Sequence, residues 1–260
     1  MEDMDERFLK FKGYKGEELE AFLVSPEKFE VGVIVIHEIW GLTEYIKNVA
    51  RRIAQLGYLS IAPNLYRAKE LNEENIAKVM RRLWSLPQEK RNDKEFLYSV
   101  YSSLSEQEKV VFRELVENRA KTEERMIEDL KGAYSLLSNI GAKKFGVIGF
   151  CMGGGLSFQL STELQFNATV IYYGRNPWNL DDLNKIKGGV LGIYAGEDYN
   201  INQGLPELMR AVIKYKTDFE MKLYPNTYHA FATEGGPVYN EVAAKDAWER
   251  TVRFFKKYLG

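Results

Sequence analysis

Residues 31 to 66 carry the pattern that most narrows the fold. "VGVIVIHEIWG" is a short apolar run of β-branched residues, the composition of a strand buried on both faces. "TEYIKNVARRIAQLGY" follows, with Ile46, Val49, Ala50, Ile53 and Leu56 at helical spacing. "LSIAPNLY" is the next strand. Strand, helix and strand in that order predict a parallel sheet with crossover helices.

The rest of the chain fits around that unit. Residues 7 to 25 read as two strands about the turn "GYKGEE", an edge hairpin. From about Lys69 to Thr122 the alternation stops, and a charged, helix-prone stretch punctuated by Pro87 reads as an inserted cap or lid. From Glu123 the alternation resumes. A helix carrying Met126, Leu130, Ala133, Tyr134 and Leu137 precedes the strand "KFGVIGF" and a helix from near Met152. "ATVIYYG", "GGVLGIYAGED" and "FEMKLYP" are further strands, and "GLPELMRAVIKYK" is a helix. A last amphipathic helix runs from about Tyr239 to Leu259. A chain of 260 residues suits one large α/β domain. The expected fold is one doubly wound, mostly parallel sheet over residues 1–260, with the helical insertion at about 69–122.

A formal net charge of -1 without any long single-sign block argues against a nucleic-acid groove or a basic membrane surface. No stretch reaches the roughly 20 apolar residues of a membrane span, and the polar N-terminus lacks a signal-peptide core. The single cysteine excludes an internal disulfide, and no Cys/His cluster has zinc spacing. A soluble, cytoplasmic protein is expected, a monomer or small homo-oligomer, with no metal and no cofactor.

That one cysteine lies in Gly149-Phe150-Cys151-Met152-Gly153, after a strand and before a helix, the context of a nucleophile elbow. A nucleophile on so tight a turn leaves no room for side chains two before and two after it, hence glycines. The helix N-terminus behind Cys151 favours a thiolate and a developing oxyanion. The plainer readings are a structural cysteine in a glycine-rich turn, or a phosphate loop. The second lacks both the following Lys and the G-x-G-x-x-G spacing.

A thiol nucleophile needs a base, and the chain has two histidines. His37 precedes the elbow, whereas His229, in "YPNTYHAF" after the last strand, satisfies the order nucleophile, acid, histidine. Glu197 and Asp198 leave the strand "VLGIYA" between them, and spacing alone leaves the choice of acid open. Either can orient and stabilise an imidazolium, or simply cap a turn. These elements collect at C-terminal strand ends, where ligands sit in open α/β sheets. After "VIVI", the backbone N–H of Ile39, with that of Met152, is placed to form an oxyanion hole. Glu38 between them reads, on its own, as a salt bridge or helix cap.

In combination, "HEIWGL", "APNLY", "GFCMGG", "AGED" and "YHAF", in that order over most of the chain, resemble the dienelactone hydrolase family of the α/β-hydrolase fold. The resemblance implies a triad of Cys151, His229 and Asp198, the acid standing two residues after Gly196. It implies that Glu38 helps the thiol reach the thiolate when substrate binds. It places Tyr66 near the pocket, with Phe231 and Trp40 as further substrate contacts. The implied reaction is hydrolysis of a small-molecule ester or lactone through a thioester acyl-enzyme. A thiolate also leaves readily, so activated esters, enol lactones and thioesters suit it better than amides.

Two departures concern the substrate. Where the family places a carboxylate-binding arginine two residues after the phenylalanine, this chain has Thr233, following Phe231 and Ala232. The insertion is also longer and more helical, with Arg81, Arg82 and Arg119 in it and with Trp84, Tyr98 and Phe112 as lid-lining or packing aromatics. Two other functions compete: an inactive scaffold binding a small hydrophobic ligand, and acyl transfer to an acceptor other than water.

Overall fold

The computed structural model describes residues 4–260; residues 1–3, the start of the polar N-terminal stretch, lie outside it. One eight-stranded sheet has the order β1 (Asp5–Lys12), β2 (Glu18–Ser25), β4 (Leu59–Pro63), β3 (Val31–Ile36), β5 (Lys144–Phe150), β6 (Ala168–Tyr172), β7 (Gly189–Ala195), β8 (Phe219–Tyr224). The β1–β2 and β2–β4 pairings are antiparallel, and every pairing from β4 to β8 is parallel. The expected edge hairpin is therefore β1–β2.

Alternation along β3 explains its wholly apolar sequence. All six residues are buried, with Ile34 and Ile36 entering one core and Val31, Val33 and Val35 the other. The second core is closed by α1 (Glu44–Ala54) and α9 (Glu241–Leu259), through Ile46, Val49, Ala50 and Ile53 and through Ala247, Phe254 and Phe255. Thr43 caps α1 by accepting from Ile46 N–H. The first core is closed by α5 (Arg119–Ile140) and α6 (Met152–Ser161), with Met126, Leu130, Ala133 and Leu137 inward. On that same face α8 (Leu205–Tyr215) packs Leu208 against β6 and β7. A four-residue helix, α7 (Tyr199–Asn202), follows β7.

The stretch after β4 is helical, as expected: α2 (Glu73–Trp84), α3 (Lys94–Ser102) and α4 (Glu106–Phe112), then one wide turn to Glu117. The crossover helix α5 begins at Arg119, four residues before the expected Glu123, because its first turn is polar and carries no periodic apolar signal. Ile76, Val79, Met80, Leu83, Val111 and Phe112 join the first core. Trp84 and Tyr98 instead stay 52% and 73% exposed. No described helix is long and apolar enough to cross a membrane.

The chain moves from β3 to β4 on one side, then returns to place β5 on the other. The switch point of the sheet is thus between the C-terminal ends of β3 and β5. Their last paired residues are Ile36 and Gly149, so Glu38 and Cys151, each two residues further on, emerge side by side.

Candidate active site

Cys151 stands between β5 and α6 with φ 58° and ψ -120°, a left-handed conformation costly for any residue with a Cβ. Its surroundings hold it there. Cys151 N–H donates to Tyr172 C=O at 3.0 Å, and its own carbonyl accepts from Gly154 and Gly155 N–H. The glycines answer a measurable crowding. A Cβ on Gly149 would lie 1.8 Å from Gly153 O, and one on Gly153 would lie 2.4 Å from Ile36 O and 2.5 Å from His37 O. Both obstacles are backbone, so neither can yield.

His229 lies in the tight loop after β8 and presents Nε2 to Cys151 Sγ at 2.9 Å. Its Nδ1 meets Asp198 Oδ2 at 2.5 Å. Asp198 is buried just past β7, while Glu197 beside it is exposed, which separates two acids that spacing left equivalent. Tyr173 and Ala230 join Cys151 as non-glycine residues with positive φ, at 38° and 75°, so three strand ends carry strain around one point. The Tyr173 ring packs on the His229 imidazole at 5.1 Å, and Phe231 packs behind it at 5.5 Å.

Electrostatics couple these groups. Burial alone would push the Cys151 thiol up, but the His229 charge and its hydrogen bond, helped by Met152 N–H facing the sulfur, hold it below the ordinary thiol range. Burial would likewise lower His229, and the facing Cys151 and Asp198 reverse this, holding it well above ordinary histidine. Both directions favour the thiolate–imidazolium form of the pair over the neutral one.

Glu38 is 1% exposed, and its Oε2 accepts from Thr233 Oγ1 at 2.8 Å rather than from the sulfur. Burial raises its pKa, against the Thr233 hydrogen bond and the nearby His229 charge. Ile39 and Met152 are both buried, the latter opening α6. Tyr66 is buried and its hydroxyl donates to Ile39 C=O at 2.5 Å. Phe231 is fully buried between the rings of Tyr173 and Tyr224. Trp40 remains partly exposed and meets Trp84 of α2 edge-to-face at 5.9 Å, so the inserted helices reach the β3 strand end. A second bridge joins them to the acid loop, from Gln88 Nε2 to Asn200 Oδ1 at 3.1 Å.

Of the inserted arginines, Arg82 bonds Ser103 within the insertion, and Arg119 bonds Glu123 at 3.0 Å. Sequence reasoning passed over Tyr173 and Arg175, although "YYGR" closes a parallel strand like the other site segments. Arg175 sits within the electrostatic reach of Arg119, Glu123 and Cys151, and burial and Arg119 lower its pKa. Among the described residues no group of three or more His, Cys, Asp or Glu side chains is placed to hold a metal ion.

A mostly parallel eight-stranded sheet, with Cys151, Asp198 and His229 gathered beyond the C-terminal ends of its strands, is the architecture of the α/β-hydrolase fold. The model of the dienelactone hydrolase family matches residues 19–259, and the chain belongs to that family, whose members hydrolyse carboxylic esters or lactones. A Saccharolobus solfataricus protein named "Putative carboxymethylenebutenolidase" is 52% identical over 244 residues, 93% of this chain and 95% of that one. An Escherichia coli K12 protein of the same name is 27% identical over 263 residues, 95% of this chain and 85% of its own length. Among solved structures, a Klebsiella pneumoniae protein described as a "Putative Dienelactone Hydrolase" superposes with a TM-score of 0.71 at 25% identity, covering 97% of this chain and 100% of that one.

Proposed function

We propose that this hydrolase cleaves activated carboxylic esters, lactones or thioesters with Cys151 as nucleophile, His229 as acid and base, and Asp198 as the orienting acid. One observation carries the reading: the continuous line from Asp198 Oδ2 to His229 at 2.5 Å and from His229 to Cys151 Sγ at 2.9 Å, ending on a strained elbow. A structural cysteine has no use for a buried acid behind a histidine.

The thiolate attacks the substrate carbonyl, and the Ile39 and Met152 N–H groups hold the developing oxyanion. As the intermediate collapses, the C–O bond breaks (C–S in a thioester) and His229 passes its proton to the leaving group. Cys151 is left as a thioester. Neutral His229 then takes a proton from water, whose oxygen attacks the thioester carbonyl. Collapse expels the thiolate, and the carboxylic acid departs. Asp198 favours the charged imidazole at each protonated stage. Glu38, with its raised pKa, suits taking the proton of any un-ionised thiol once substrate draws it from Thr233.

Thr233 brings no positive charge to the place where the family binds a carboxylate, so that end of the pocket favours an uncharged substrate group. Trp40, partly exposed against Trp84, offers an apolar wall. Tyr66 and Phe231 support the site through backbone and ring packing. A turnover screen over lactones, aryl esters and thioesters, run beside Cys151→Ala, tests the reading. Turnover in the wild type and none in the folded variant is expected; undiminished turnover in Cys151→Ala overturns it.

A further inference from the structure

We infer that His37 is a positioning residue for the oxyanion hole, acting with Tyr66 to aim the Ile39 N–H; this rests on the reaction proposed above. The inference starts from the ring's two hydrogen bonds. His37 Nε2 lies 3.1 Å from Leu65 N, a backbone donor, so Nε2 must be the unprotonated acceptor. The proton therefore sits on Nδ1 and is donated to Glu38 C=O at 2.6 Å. Full burial, against the backbone hydrogen bond, lowers the ring's pKa to about 4 and keeps this single tautomer at neutral pH.

Glu38 C=O and Ile39 N–H belong to one planar trans peptide, so they point in opposite directions. Fixing the carbonyl fixes the N–H. Gly41 N–H also donates to Glu38 C=O, at 3.1 Å, so two donors hold that peptide from behind. Bonds accepted by a carbonyl also polarise its peptide and strengthen the N–H as a donor. The next carbonyl, Ile39 C=O, is held by the Tyr66 hydroxyl at 2.5 Å. Both peptides flanking the Ile39 Cα are thus fixed by side chains.

The clamp is reciprocal and anchored. Residues 37–39 after β3 are tied to 65–66 after β4, and the His37 and Tyr66 rings pack at 4.9 Å. Leu65 C=O accepts from Arg125 at 3.1 Å, and Arg125 lies beside the fully buried Asp129 of the same helix. A rigid helix thereby backs a backbone donor that has no side chain of its own to hold it.

The test compares His37→Leu, which fills the space without hydrogen bonds, with His37→Asn, which keeps a donor near the Nδ1 position. Losing one oxyanion donor outright costs about 100- to 1000-fold in kcat. His37→Leu, which loosens that donor, is expected to lose roughly tenfold to a hundredfold in kcat with KM little changed, and His37→Asn to recover part of it. Alkylation of Cys151 by iodoacetamide develops no oxyanion, so its rate is expected to be unchanged in both. If His37→Leu does not fold, Tyr66→Phe answers instead, with a smaller kcat loss and unchanged alkylation. Wild-type kcat in the folded variants, or kcat and alkylation falling together, overturns the clamp while Cys151→Ala stays inactive. An active Cys151→Ala overturns the reaction itself.

Discussion

His37 and His229 both follow the C-terminal ends of parallel strands, yet their surroundings push the two rings in opposite directions, one toward the neutral form and the other toward the charged one. The ring nitrogens of His37 meet only backbone, an N–H on one side and a carbonyl on the other, and burial lowers its pKa to about 4. His229 meets a carboxylate and a thiol, which together outweigh its own burial and raise its pKa. Location at a strand end therefore does not decide what a histidine does. The partners of its two nitrogens do: backbone partners suit a ring to bracing, and ionisable partners suit it to the acid and base role proposed for His229.

The largest effect should come from breaking the charged member. His229→Ala is expected to lower kcat by about 1000-fold or more, the scale of losing a base in a hydrolytic triad. It should also move the thiol. Burial raises the Cys151 pKa while the imidazolium lowers it, so its removal leaves burial opposed only by the Met152 N–H. Thiolate ultraviolet absorbance, present in the wild type below the ordinary thiol pKa, should then appear only at higher pH. An unchanged thiolate titration in His229→Ala would break the contrast between the two rings.

Asp198→Asn should cost somewhat less, roughly 100- to 10,000-fold in kcat. An amide neither stabilises the imidazolium nor enforces the tautomer. The imidazole pKa should fall, and an imidazole titration followed by NMR reads it directly. A wild-type imidazole pKa in Asp198→Asn would show that the sulfur alone charges His229.

The His229 half of this contrast is legible in the sequence, and what is not legible has a physical reason. Chain order singled out His229, and the glycines around Cys151 announced a turn whose crowding the backbone distances now quantify. Glu197 and Asp198 are adjacent and chemically alike, so spacing leaves them open; the family resemblance implies Asp198, and burial, a tertiary property, sets the two apart. The bracing role of His37 left no trace, because its partners are main-chain atoms, one of them 28 residues away. Backbone atoms carry no residue-type signature. Thr233 was visible as a departure, but its bond to Glu38 spans 195 residues and needed the fold. The start of α5 is not legible in the sequence, because Arg119 to Thr122 offers one buried residue, Thr122, and no apolar stripe.

Gly153 tests the neutral side at its backbone. An added methyl would lie 2.4 Å from Ile36 O and 2.5 Å from His37 O, pressing the same strand end that the His37 ring braces. Gly153→Ala should destabilise the fold by about 1–3 kcal/mol or more, as overpacking against rigid neighbours does, measured by denaturant unfolding. Gly155→Ala is the control: its nearest contact outside its own helix is 3.3 Å from Arg175 N, which small shifts can absorb. Equal stability of the two variants would mean that the elbow can relax away from β3.

The smallest expected effect lies between the two histidines, at Glu38. Thr233→Val removes the only side-chain hydrogen bond to this carboxylate among the described residues while keeping its volume. Burial raises the Glu38 pKa and the Thr233 bond lowers it, so losing the bond must raise it further. A typical hydrogen bond is worth about 0.5–1.5 kcal/mol, which corresponds to about half to one pH unit. The carboxylate is the form present above its pKa, so the acid limb of kcat/KM should move to higher pH by that amount, with the neutral-pH rate falling only a few-fold. Hydrolysis of a neutral lactone across the pH range reads the limb directly. An unmoved limb would show that Glu38 takes no part in ionising the thiol, leaving His229 and the Met152 N–H to set the charge at the sulfur.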